Sequence, residues 1–461
     1  MKKLPRQTIW LLAVMAVLFL TAFLCRPLLP IDETRYMTVA WEMHLHNGWL
    51  SPLTLNFEPY HHKPPMLFWL INAFWSVFGV SRWVGLIPIV LSSSAVLLLT
   101  ARFIKKIMPP DAVDPLKVTF LMLGSVPFLI YSTLVMFDMT LTMFVLASLL
   151  CLLSYAEKRQ FRYAFLMGSF IGLGVLTKGP VAYLYVIFPM LLGPLWVHNI
   201  KKPASWYGDC FAAIFISLFP VAVWLLPVLA QSDNHFAFWL IWEQTAGRIT
   251  GNFSDAHVRP FYFYLPLIPL LFAPWIFFPG FWHGLKYLTG NRPDIRFLAC
   301  WIIPVFLAFC FIKGKQPHYL LPLLPGVILL VYMLMHDIAL RVIRNTAVIL
   351  IVAVVAGQVA ASHIYFKNYD LTPIAGYIRE NPNHPWAFVR NYHGEVGFLA
   401  KFATPIADRQ MNEIDGWFEE NPDGWAVIRY KKDEDVSKYE RIFSQAYRGK
   451  KLGIFYFKSR Q

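Results

Sequence analysis

The segment from Ile31 to Ser81 carries the densest group of reactive side chains in this sequence. It opens with Asp32-Glu33-Thr34-Arg35-Tyr36 and continues to Tyr60-His61-His62-Lys63-Pro64-Pro65. Because an apolar run ends directly before Asp32, these acids, cations and aromatic side chains are expected to lie beside a bilayer. Charged groups are costly there, and they mark functional sites. The mixture suits phosphate chemistry, since cations stabilise charge on a leaving phosphate and a carboxylate orients or deprotonates the acceptor.

The composition identifies the surroundings of these side chains as a membrane. Of 461 residues, 57% are hydrophobic and 15% are charged, which is too apolar for a soluble globular protein. Apolar runs of about 17 to 25 residues, long enough to cross a hydrocarbon core, recur along the chain. They predict a polytopic α-helical membrane protein with about 11 to 13 transmembrane helices, including spans at 118–136 and 261–284.

Neither the charge nor the cysteines indicate a soluble partner. The net charge of +14 comes largely from Lys and Arg in short loops between spans, where they set orientation, so nucleic acid is not expected as a partner. The five Cys lie in or beside apolar runs without metal-ligand spacing and are predicted to be core residues. The first apolar run lacks a convincing cleavage site and is predicted to be an uncleaved span.

The charges of the loops predict the orientation of the chain. If the N-terminus with Lys2, Lys3 and Arg6 is cytoplasmic, alternate loops satisfy the positive-inside rule. The opposite face then receives the unusual charged segments, which are 31–81, the turns at Asp138 and Lys178, the loop 231–260 and the stretch from Lys313 to Tyr319. We therefore expect an active site at the exoplasmic surface. An odd number of spans also places the C-terminal tail there.

The candidates in the first loop also have structural explanations. Asp32 and Glu33 suit the first turn of a helix, where acids offset the helix dipole. Because adjacent helical residues point about 100° apart, only one of them faces a given pocket, and we assign Asp32 to it. Pro64 and Pro65 hold Lys63 in an extended conformation that suits binding of a lipid phosphate. Alternatively, Lys63 starts a helix and snorkels to the interface.

The later candidates leave similar alternatives open. Asp138 and Lys178 lie in tight turns, where the acid could be a turn residue in interfacial water and the Lys could snorkel rather than bind phosphate. Arg248 offers bidentate phosphate geometry, within a segment that also fits an amphipathic interfacial helix. Lys313 and Lys315 lie at the outer end of a span, against the positive-inside rule, and a bound diphosphate or phosphodiester would explain them.

The composition changes at about residue 365. From there to residue 461, short aromatic strands alternate with segments of helical spacing, which predicts a small α/β domain after a membrane domain of residues 1–364. The predicted strands are Trp386 to Arg390, Gly424 to Tyr430 and Leu452 to Phe457. The predicted helices are Thr372 to Glu380, Glu395 to Phe402, Arg409 to Glu419 and Val436 to Ala446.

Several of these motifs resemble those of a known superfamily, the C-type glycosyltransferases, whose donors are polyprenyl-phosphate sugars. The motifs similar in order and spacing to its first exoplasmic loop are Asp32 to Tyr36, Glu42-Met43, Gly48-Trp49, Pro52, Lys63-Pro64-Pro65 and Trp69. Thr177-Lys178-Gly179-Pro180 and Lys315 to Pro322 match later segments. Within the superfamily, the chain looks most like the bacterial lipid A aminoarabinose transferases and their protein mannosyltransferase relatives.

The resemblance implies transfer of a sugar, with inversion, from undecaprenyl phosphate to an acceptor at the periplasmic face of a bacterial inner membrane. The expected acceptor is lipid A phosphate, and the C-terminal domain is expected in the periplasm. Asp32 matches the family's proposed catalytic acid, and Asp138 matches a further conserved carboxylate. The positions that match its donor-phosphate pocket are Arg35, Tyr36, Tyr60, Lys63, Lys178, Arg248 and Tyr319.

Two features depart from the family pattern. Relatives often have a Glu just before the Lys-Pro-Pro and a His in the later loop, and that pair can hold a divalent ion. Here His62 and Glu243 stand near those places, so a Zn, Mg or Mn site is an expectation. The chain is also shorter than typical aminoarabinose transferases, which leaves the sugar and the acceptor open.

Two other functions fit the predicted topology. A lipid-linked sugar transporter or flippase would also place charges near spans, but it would keep them near mid-bilayer, often in two related halves. An O-antigen polymerase or ligase shares the donor type, but it would concentrate its cations in a late, large loop. Because the cations here are densest in the first loop, a transferase related to the aminoarabinose enzymes is favoured, with transfer to protein or polysaccharide as the alternative.

Overall fold

The computed structural model describes residues 6–109, 112–198, 200, 202–233, 236, 238–240, 242, 257–288 and 292–457. Within these ranges, seven helices are long and apolar enough to cross a membrane: Thr8–Cys25, Arg82–Ile107, Asp138–Lys158, Pro203–Ala230, Pro293–Phe311, Pro317–Leu334 and Leu340–Ile364. Three shorter apolar helices accompany them, at Met66–Phe78, Val181–Leu191 and Phe261–Phe272. The chain is therefore a multi-pass membrane protein with a mostly helical fold, as its composition predicts.

The α-helices of the described ranges are numbered in chain order. They are α1 (Arg6–Cys25), α2 (Asp32–His46), α3 (Met66–Phe78), α4 (Arg82–Ile107), α5 (Pro115–Leu123), α6 (Val126–Tyr131), α7 (Asp138–Lys158), α8 (Phe161–Lys178), α9 (Val181–Leu191), α10 (Gly193–Trp196), α11 (Pro203–Ala230), α12 (Ile268–Phe272), α13 (Pro279–His283), α14 (Pro293–Phe311), α15 (Leu324–Leu334), α16 (Leu340–Ile364), α17 (Thr372–Glu380), α18 (Gly397–Ala400) and α19 (Ile414–Glu420). Short 3-10 helices occur at Phe261–Leu267, Trp275–Phe277, Gly284–Leu288, Pro317–Leu323, Phe366–Asn368 and Asp433–Val436.

Proline and glycine divide two of the predicted spans into shorter helices. The apolar run at 118–136 contains α5, which ends before Gly124, and α6, which has a proline in its first turn. The run at 261–284 contains two 3-10 helices together with α12 and α13, each of which has a proline in its first turn. Because proline removes a backbone donor and clashes with the preceding turn, neither run forms one continuous helix.

The chain divides into two compact units, which we describe separately. The first, called the membrane unit, comprises Met1–Phe19, His61–Leu70 and Leu86–Val354. The second, called the tail unit, comprises Leu20–Tyr60, Ile71–Gly85 and Val355–Gln461. Most of the segment that the sequence analysis assigned to the first loop of the membrane domain thus belongs with the C-terminal residues. The predicted domain boundary between residues 364 and 365 stays a prediction.

In the membrane unit, α7 and α8 form an antiparallel pair that is joined by Arg159 and Gln160. Helix α8 also packs closely on α11, because Gly168 and Gly172 present no side chains at the contact. A Cβ atom on Gly168 would lie 2.3 Å from the Ala213 carbonyl oxygen, and one on Gly172 would lie 2.5 Å from that of Ser217. Small residues spaced in this way allow membrane helices to approach closely. The packing fixes α8, which ends at Lys178.

In the tail unit, polar contacts join α2 and the hairpin of β1 (Thr54–Leu55) and β2 (Glu58–Pro59) to the C-terminal residues. The Thr38 hydroxyl donates to the Gly394 carbonyl oxygen (2.8 Å) and accepts from the Phe398 amide (2.9 Å). The Asn56 side chain forms two hydrogen bonds of 2.9 Å with the backbone of Ile406. Residues more than 300 positions apart in the sequence therefore form one folded unit.

The tail unit contains a five-stranded sheet of β3 (Trp386–Val389), β4 (Ala407–Arg409), β5 (Trp425–Tyr430), β6 (Tyr439–Tyr447) and β7 (Lys450–Phe457). Its strand order is β4-β3-β5-β7-β6. Strand β3 is parallel to β4 and β5, whereas β7 is antiparallel to β5 and β6. The two faces of the sheet have separate apolar cores, which include Ile374 of α17 on one side and Trp417 of α19 on the other. This confirms the predicted α/β character of the C-terminal residues.

The structure corrects two predicted helices of this region. The segment from Val436 to Ala446 contains strand β6 rather than a helix, because it pairs with β7 in an antiparallel ladder. A register shift between Arg441 and Phe443 interrupts the alternation of side chains that would have indicated a strand. The segment predicted as a helix from Arg409 to Glu419 begins at the end of β4, and its helix, α19, starts only at Ile414.

Candidate functional site

The first candidate group, in the tail unit, is centred on Asp32 at the start of α2. Its Oδ1 atom accepts hydrogen bonds from Arg35 Nη2 (2.5 Å) and from the Tyr36 hydroxyl (3.2 Å). These contacts follow from helical spacing, since residues three and four positions apart lie on the same face. The Asp32 side chain is 51% exposed, so a fixed carboxylate remains accessible to a substrate.

Arg35 is held between acidic and aromatic groups. Its guanidinium lies over the Tyr36 ring at 5.5 Å from the centroid. Burial alone would lower the pKa of Arg35, but the neighbouring Tyr60, Tyr36 and Asp32 raise it above its ordinary value. Arg35 therefore keeps its positive charge. Tyr60, with 3% exposure, is buried in the same unit, so the structure brings together the four tail-unit residues that the sequence predicted.

Glu33 has a different environment from its neighbour Asp32. Its side chain is 3% exposed and lies 2.6 Å from Arg26 Nη1. It also accepts a hydrogen bond of 2.9 Å from the backbone amide of Leu29. Both contacts fix the turn between α1 and α2, which is a structural role. The role of Arg26 was not predicted, although its position just before the two prolines of this turn placed a cation near the pair of acids.

The second candidate group, in the membrane unit, is formed by Asp138, Lys178 and Tyr319. Lys178 Nζ forms an ion pair with Asp138 Oδ1, and the two side chains are only 8% and 2% exposed. The same ammonium lies 4.6 Å from the centroid of the Tyr319 ring. A buried ion pair is costly to break by removing one partner. The two residues were predicted separately, and the structure shows them as a pair.

Helix geometry explains this pairing. Asp138 is the first residue of α7 and Lys178 is the last residue of α8, so the antiparallel arrangement brings them to the same end. The opposite end carries the exposed Lys158 and Arg159. Tyr185 in α9 then positions Tyr319, because its hydroxyl donates to the Tyr319 carbonyl oxygen at 2.6 Å. Tyr185 was not predicted, since no charge or motif distinguishes it from other aromatic residues in an apolar helix.

Lys63 and His62 lie in the short segment before α3. Lys63 Nζ is 3.3 Å from the carbonyl oxygen of His62, and both side chains are partly buried. His61 stacks on His62 with ring centroids 4.4 Å apart and on Trp239 with centroids 3.4 Å apart. The helix begins at Met66, directly after the two prolines. The stack thus fixes the backbone around Lys63.

The two Lys residues before the Pro317 helix differ in their surroundings. Lys315 is buried, and its ammonium donates to the carbonyl oxygens of Arg259 (3.1 Å) and Ile312. Its own amide donates to the His257 carbonyl oxygen, so it joins two chain segments. Burial lowers the pKa of Lys315. These bonds give Lys315 a structural environment, whereas the exposed Lys313 remains accessible.

Two predicted residues, Arg248 and Glu243, lie outside the described residues. Within the parts of the chain that the structure describes, no group of three or more His, Cys, Asp or Glu side chains could hold a metal ion. His62 stacks on an aromatic system there. The described side chains do not form the donor set of a zinc site, which needs at least three protein ligands. We therefore assign no step of a reaction to a metal, and the His62–Glu243 pair stays a prediction.

Comparison with known proteins agrees with the predicted resemblance. A family model described as dolichyl-phosphate-mannose-protein mannosyltransferase matches residues 62–224. The chain is 28% identical over 302 residues to undecaprenyl phosphate-alpha-4-amino-4-deoxy-L-arabinose arabinosyl transferase 2 of Proteus mirabilis strain HI4320, with coverage of 63% of this chain and 52% of the relative. It is 30% identical over 324 residues to the corresponding transferase of Pseudomonas aeruginosa strain UCBPP-PA14, covering 67% and 56%. The matches thus span little more than half the length of these curated relatives.

A solved structure is similar over almost the whole chain. It is the crystal structure of ArnT from Cupriavidus metallidurans bound to undecaprenyl phosphate, with a TM-score of 0.78, 15% sequence identity and coverage of 97% of each chain. The apo crystal structure of the same protein gives a TM-score of 0.77. At this identity the similarity establishes the fold. The resemblance predicted from the first-loop motifs is therefore confirmed: this chain has the C-type glycosyltransferase fold and is similar in sequence to the aminoarabinose transferases.

Proposed function

We propose that this chain is an inverting glycosyltransferase that moves a sugar from undecaprenyl phosphate to an acceptor, with a lipid A phosphate as the favoured acceptor. The relatives named for aminoarabinose transfer support this proposal. The observation that carries it is Asp32, a half-exposed carboxylate held by Arg35 and Tyr36 at the start of a helix. Held in this way, a carboxylate can act on a substrate without first reorganising.

In the proposed reaction, an acceptor oxygen attacks the anomeric carbon from the side opposite the undecaprenyl phosphate. The bond between the anomeric carbon and the phosphate oxygen breaks, and its electron pair remains on the leaving phosphate. A fixed cation offsets the charge that grows there, and such electrostatic stabilisation is usually the largest contribution to catalysis. We assign this role to Lys178, with Asp138 as the group that positions its ammonium.

The acceptor determines what Asp32 must do. A phosphate monoester is largely ionised near neutral pH, since its second pKa is about 6. It needs no strong base, so Asp32 would orient it through a shared proton or through Arg35. A hydroxyl acceptor must lose its proton during the attack, and Asp32 would then take that proton. We favour the phosphate because of the resemblance to the lipid A aminoarabinose transferases.

We further propose that the chain lies in a bacterial inner membrane with its N-terminus in the cytoplasm and the tail unit in the periplasm. The distribution of Lys and Arg at the two ends of the α7–α8 pair supports this orientation: Lys158 and Arg159 occupy one end, and the paired Asp138 and Lys178 the other. Labelling of single cysteines introduced at Lys158 and Glu58 would test it. Reaction of both with an impermeant reagent in intact spheroplasts would contradict the proposal.

The test of the proposed activity is transfer by the purified protein from undecaprenyl-phosphate aminoarabinose to lipid A, followed by mass spectrometry of the acceptor. Asp32→Asn should lose nearly all transfer. Glu58→Gln is the matched control, because Glu58 is an exposed acid in the same segment, and it should retain wild-type turnover. Near-normal transfer by Asp32→Asn would contradict the assignment of Asp32. Movement of the donor lipid across the membrane of vesicles that contain the protein, without any sugar transfer, would instead favour a transporter.

A further inference from the structure

We propose that a pocket in the tail unit binds a phosphoryl group through Arg390, Arg429 and Arg448. The pocket has a volume of about 150 Å³, and its walls also include His393, Glu395 and Ile31. None of these residues belongs to the group around Asp32 described above. We call this cavity the arginine pocket.

The topology of the sheet explains why three arginines meet there. Strands β3 and β5 are parallel, so their carboxyl ends share one edge of the sheet, and Arg390 and Arg429 lie at those ends. Tyr430 at the end of β5 pairs with Lys451 near the start of β7. The turn between β6 and β7, which contains Arg448, therefore lies at the same edge. Residues that are distant in sequence converge through this register.

The three guanidinium groups lie around a pocket that also contains one acid, Glu395, which interacts electrostatically with Arg448. Across the residues that the structure describes, none of them forms an ion pair or a side-chain hydrogen bond with a carboxylate. By contrast, Arg441 and Lys451 of the same sheet both pair with Asp433, at 2.8 and 2.7 Å. Two cations of the sheet are thus neutralised by an acid, whereas three arginines gather positive charge around a cavity. Such a cluster is electrostatically unfavourable unless an anion binds to it.

One of the lining arginines also has an unsatisfied donor. Arg429 Nε is buried and has no hydrogen-bond partner among the described atoms, while its guanidinium is held over the Tyr447 ring at 5.5 Å from the centroid. A buried donor without an acceptor destabilises the folded protein. An oxygen atom of a bound ligand would satisfy it. Stacking on Tyr447 fixes the guanidinium plane in advance of binding.

The charge balance favours a phosphoryl group among possible ligands. The pocket contains three Arg side chains and one acid, Glu395, which is 5% exposed and accepts a hydrogen bond of 2.6 Å from the His393 amide. Burial raises the pKa of Glu395, whereas backbone hydrogen bonds and the nearby His393 and Arg448 favour its charged form. A dianion with three terminal oxygens can accept from all three guanidinium groups, and arginine suits such bidentate recognition. The exposed Arg390 and Asn391 leave one side of the pocket accessible.

Two backbone features connect this pocket with function. Arg390 and Asn391 have φ angles of +77° and +60°, which is unusual for residues with side chains and is concentrated at ligand-binding sites. In addition, Ile31, which lines the pocket, directly precedes Asp32. A phosphoryl group bound there lies against the chain segment that carries the proposed catalytic acid. On the basis of the proposed function, the pocket would hold a phosphorylated part of the acceptor.

Calorimetric titration of the full-length protein in detergent tests binding directly. The probes are inorganic phosphate, dihexanoyl phosphatidic acid and dihexanoyl phosphatidylcholine as the lipid without a terminal phosphate monoester. The variants are Arg429→Met and the double variant Arg390→Gln with Arg448→Gln. Either variant should weaken phosphate binding about tenfold or more, since a charge-assisted hydrogen bond contributes at least about 1.4 kcal/mol. Arg441→Gln, an exposed arginine of the same sheet, is the matched control and should bind as the wild type does.

Each outcome of this titration decides the proposal. Tighter binding of phosphatidic acid than of inorganic phosphate, lost in the variants, supports the pocket and assigns it to lipid headgroups. Equal binding of phosphatidic acid and inorganic phosphate, also lost in the variants, supports the pocket and assigns it to the phosphoryl group alone. The proposal is overturned if neither inorganic phosphate nor phosphatidic acid binds, if phosphatidylcholine binds as tightly as phosphatidic acid, or if wild type and variants bind equally. Using two variants guards against loss of folding at the partly buried Arg429.

A transfer assay separates this inference from the proposed function. The double variant should raise the KM for the acceptor about tenfold while leaving the KM for the donor unaffected. If wild-type protein transfers no sugar but binds phosphate in the arginine pocket, the proposed function fails and the pocket stands. If wild-type protein transfers sugar but the variants change neither phosphate binding nor the KM for the acceptor, the pocket fails and the function stands.

Discussion

Lys178 and Asp138 form an ion pair whose two side chains are almost completely buried, at the shared end of two antiparallel helices. The charges come from opposite ends of a segment of 41 residues, Asp138 to Lys178, which otherwise consists mainly of apolar side chains. The pair therefore contributes both to the stability of this helix pair and to the position of the Lys178 ammonium beside Tyr319. These two contributions can be separated experimentally.

We predict that Asp138→Asn and Lys178→Met each destabilise the protein by about 3–5 kcal/mol, because each leaves one charge buried without its partner. The double variant should recover much of this loss, since it removes both charges. Chemical denaturation in detergent, analysed as a double-mutant cycle, measures the coupling. Lys158→Met, at the exposed opposite end of α7, is the control. Additive effects of the two variants would show that the pair makes no net contribution.

We predict that replacing Glu33 mainly lowers the stability of the protein, whereas replacing the adjacent Asp32 mainly lowers sugar transfer. Glu33→Gln should lower the free energy of unfolding by about 3 kcal/mol or more, because Arg26 would remain buried without its partner. Asp32→Asn should change the stability by less than about 0.5–1 kcal/mol, since its ion pair is exposed. Thermal unfolding and sugar transfer, measured on both variants, check this. A large loss of stability in Asp32→Asn would contradict this prediction, because the loss of transfer would then result from unfolding.

We predict that Lys401 makes stability depend on pH in the alkaline range. Its ammonium lies 3.7 Å from the Phe398 ring centroid and 4.7 Å from that of Trp41, and it has no hydrogen-bond partner among the described atoms. Burial, with a smaller contribution from Arg379, lowers the pKa of Lys401 to about 8. In the unfolded chain it titrates near 10.5. Between these values the unfolded state binds more protons, so stability rises with pH.

Lys401→Met should therefore stabilise the protein below pH 8 by on the order of 1 kcal/mol, after allowance for partial exposure. It should also flatten the rise of the unfolding temperature between about pH 8 and 10. Thermal unfolding of wild type and variant across this range measures the difference. Parallel curves for the two proteins would show that another group titrates.

We predict that Gly168→Val disrupts the packing of α8 on α11. The added Cβ would lie 2.3 Å from the carbonyl oxygen of Ala213, and overpacking of this kind costs about 1–3 kcal/mol or more. Gly208→Ala in α11 is the control, because nothing lies within 4 Å of a Cβ atom there. Because α8 ends at Lys178, transfer should fall together with the unfolding temperature. Wild-type stability of Gly168→Val would contradict the close approach of the two helices.

Local patterns predicted much of the fold and several site residues. Asp32 and Arg35 were identified because they follow an apolar run, and their contact follows from helical spacing alone. The strands Trp386–Val389 and Trp425–Tyr430 were found from their aromatic and apolar residues. Such features depend on neighbours in the sequence, so they are accessible without a structure.

Features that depend on distant contacts were not predictable in the same way. The pairing of Asp138 with Lys178 requires knowledge that α7 and α8 run side by side. The structural bonds of Lys315 depend on a backbone segment more than 50 residues earlier. Strand β6 was mistaken for a helix because its irregular register hid the alternation of side chains. For the ion pair and for Lys315 the deciding partner lies far away in the sequence, whereas β6 pairs with the next strand and was obscured by its register shift.

The pair of hydrogen bonds between Asn56 and Ile406 affects how much of a truncated chain would accumulate in the cell. The backbone of Ile406 both accepts from and donates to the Asn56 side chain, and the carbonyl oxygen of Phe402 accepts from the Trp41 indole. A chain that stops at residue 365 would therefore leave the hairpin and α2 without these partners. In such a truncated product the exposed segment would be open to proteases. A premature stop codon late in the gene should therefore deplete the protein instead of yielding a shortened active form.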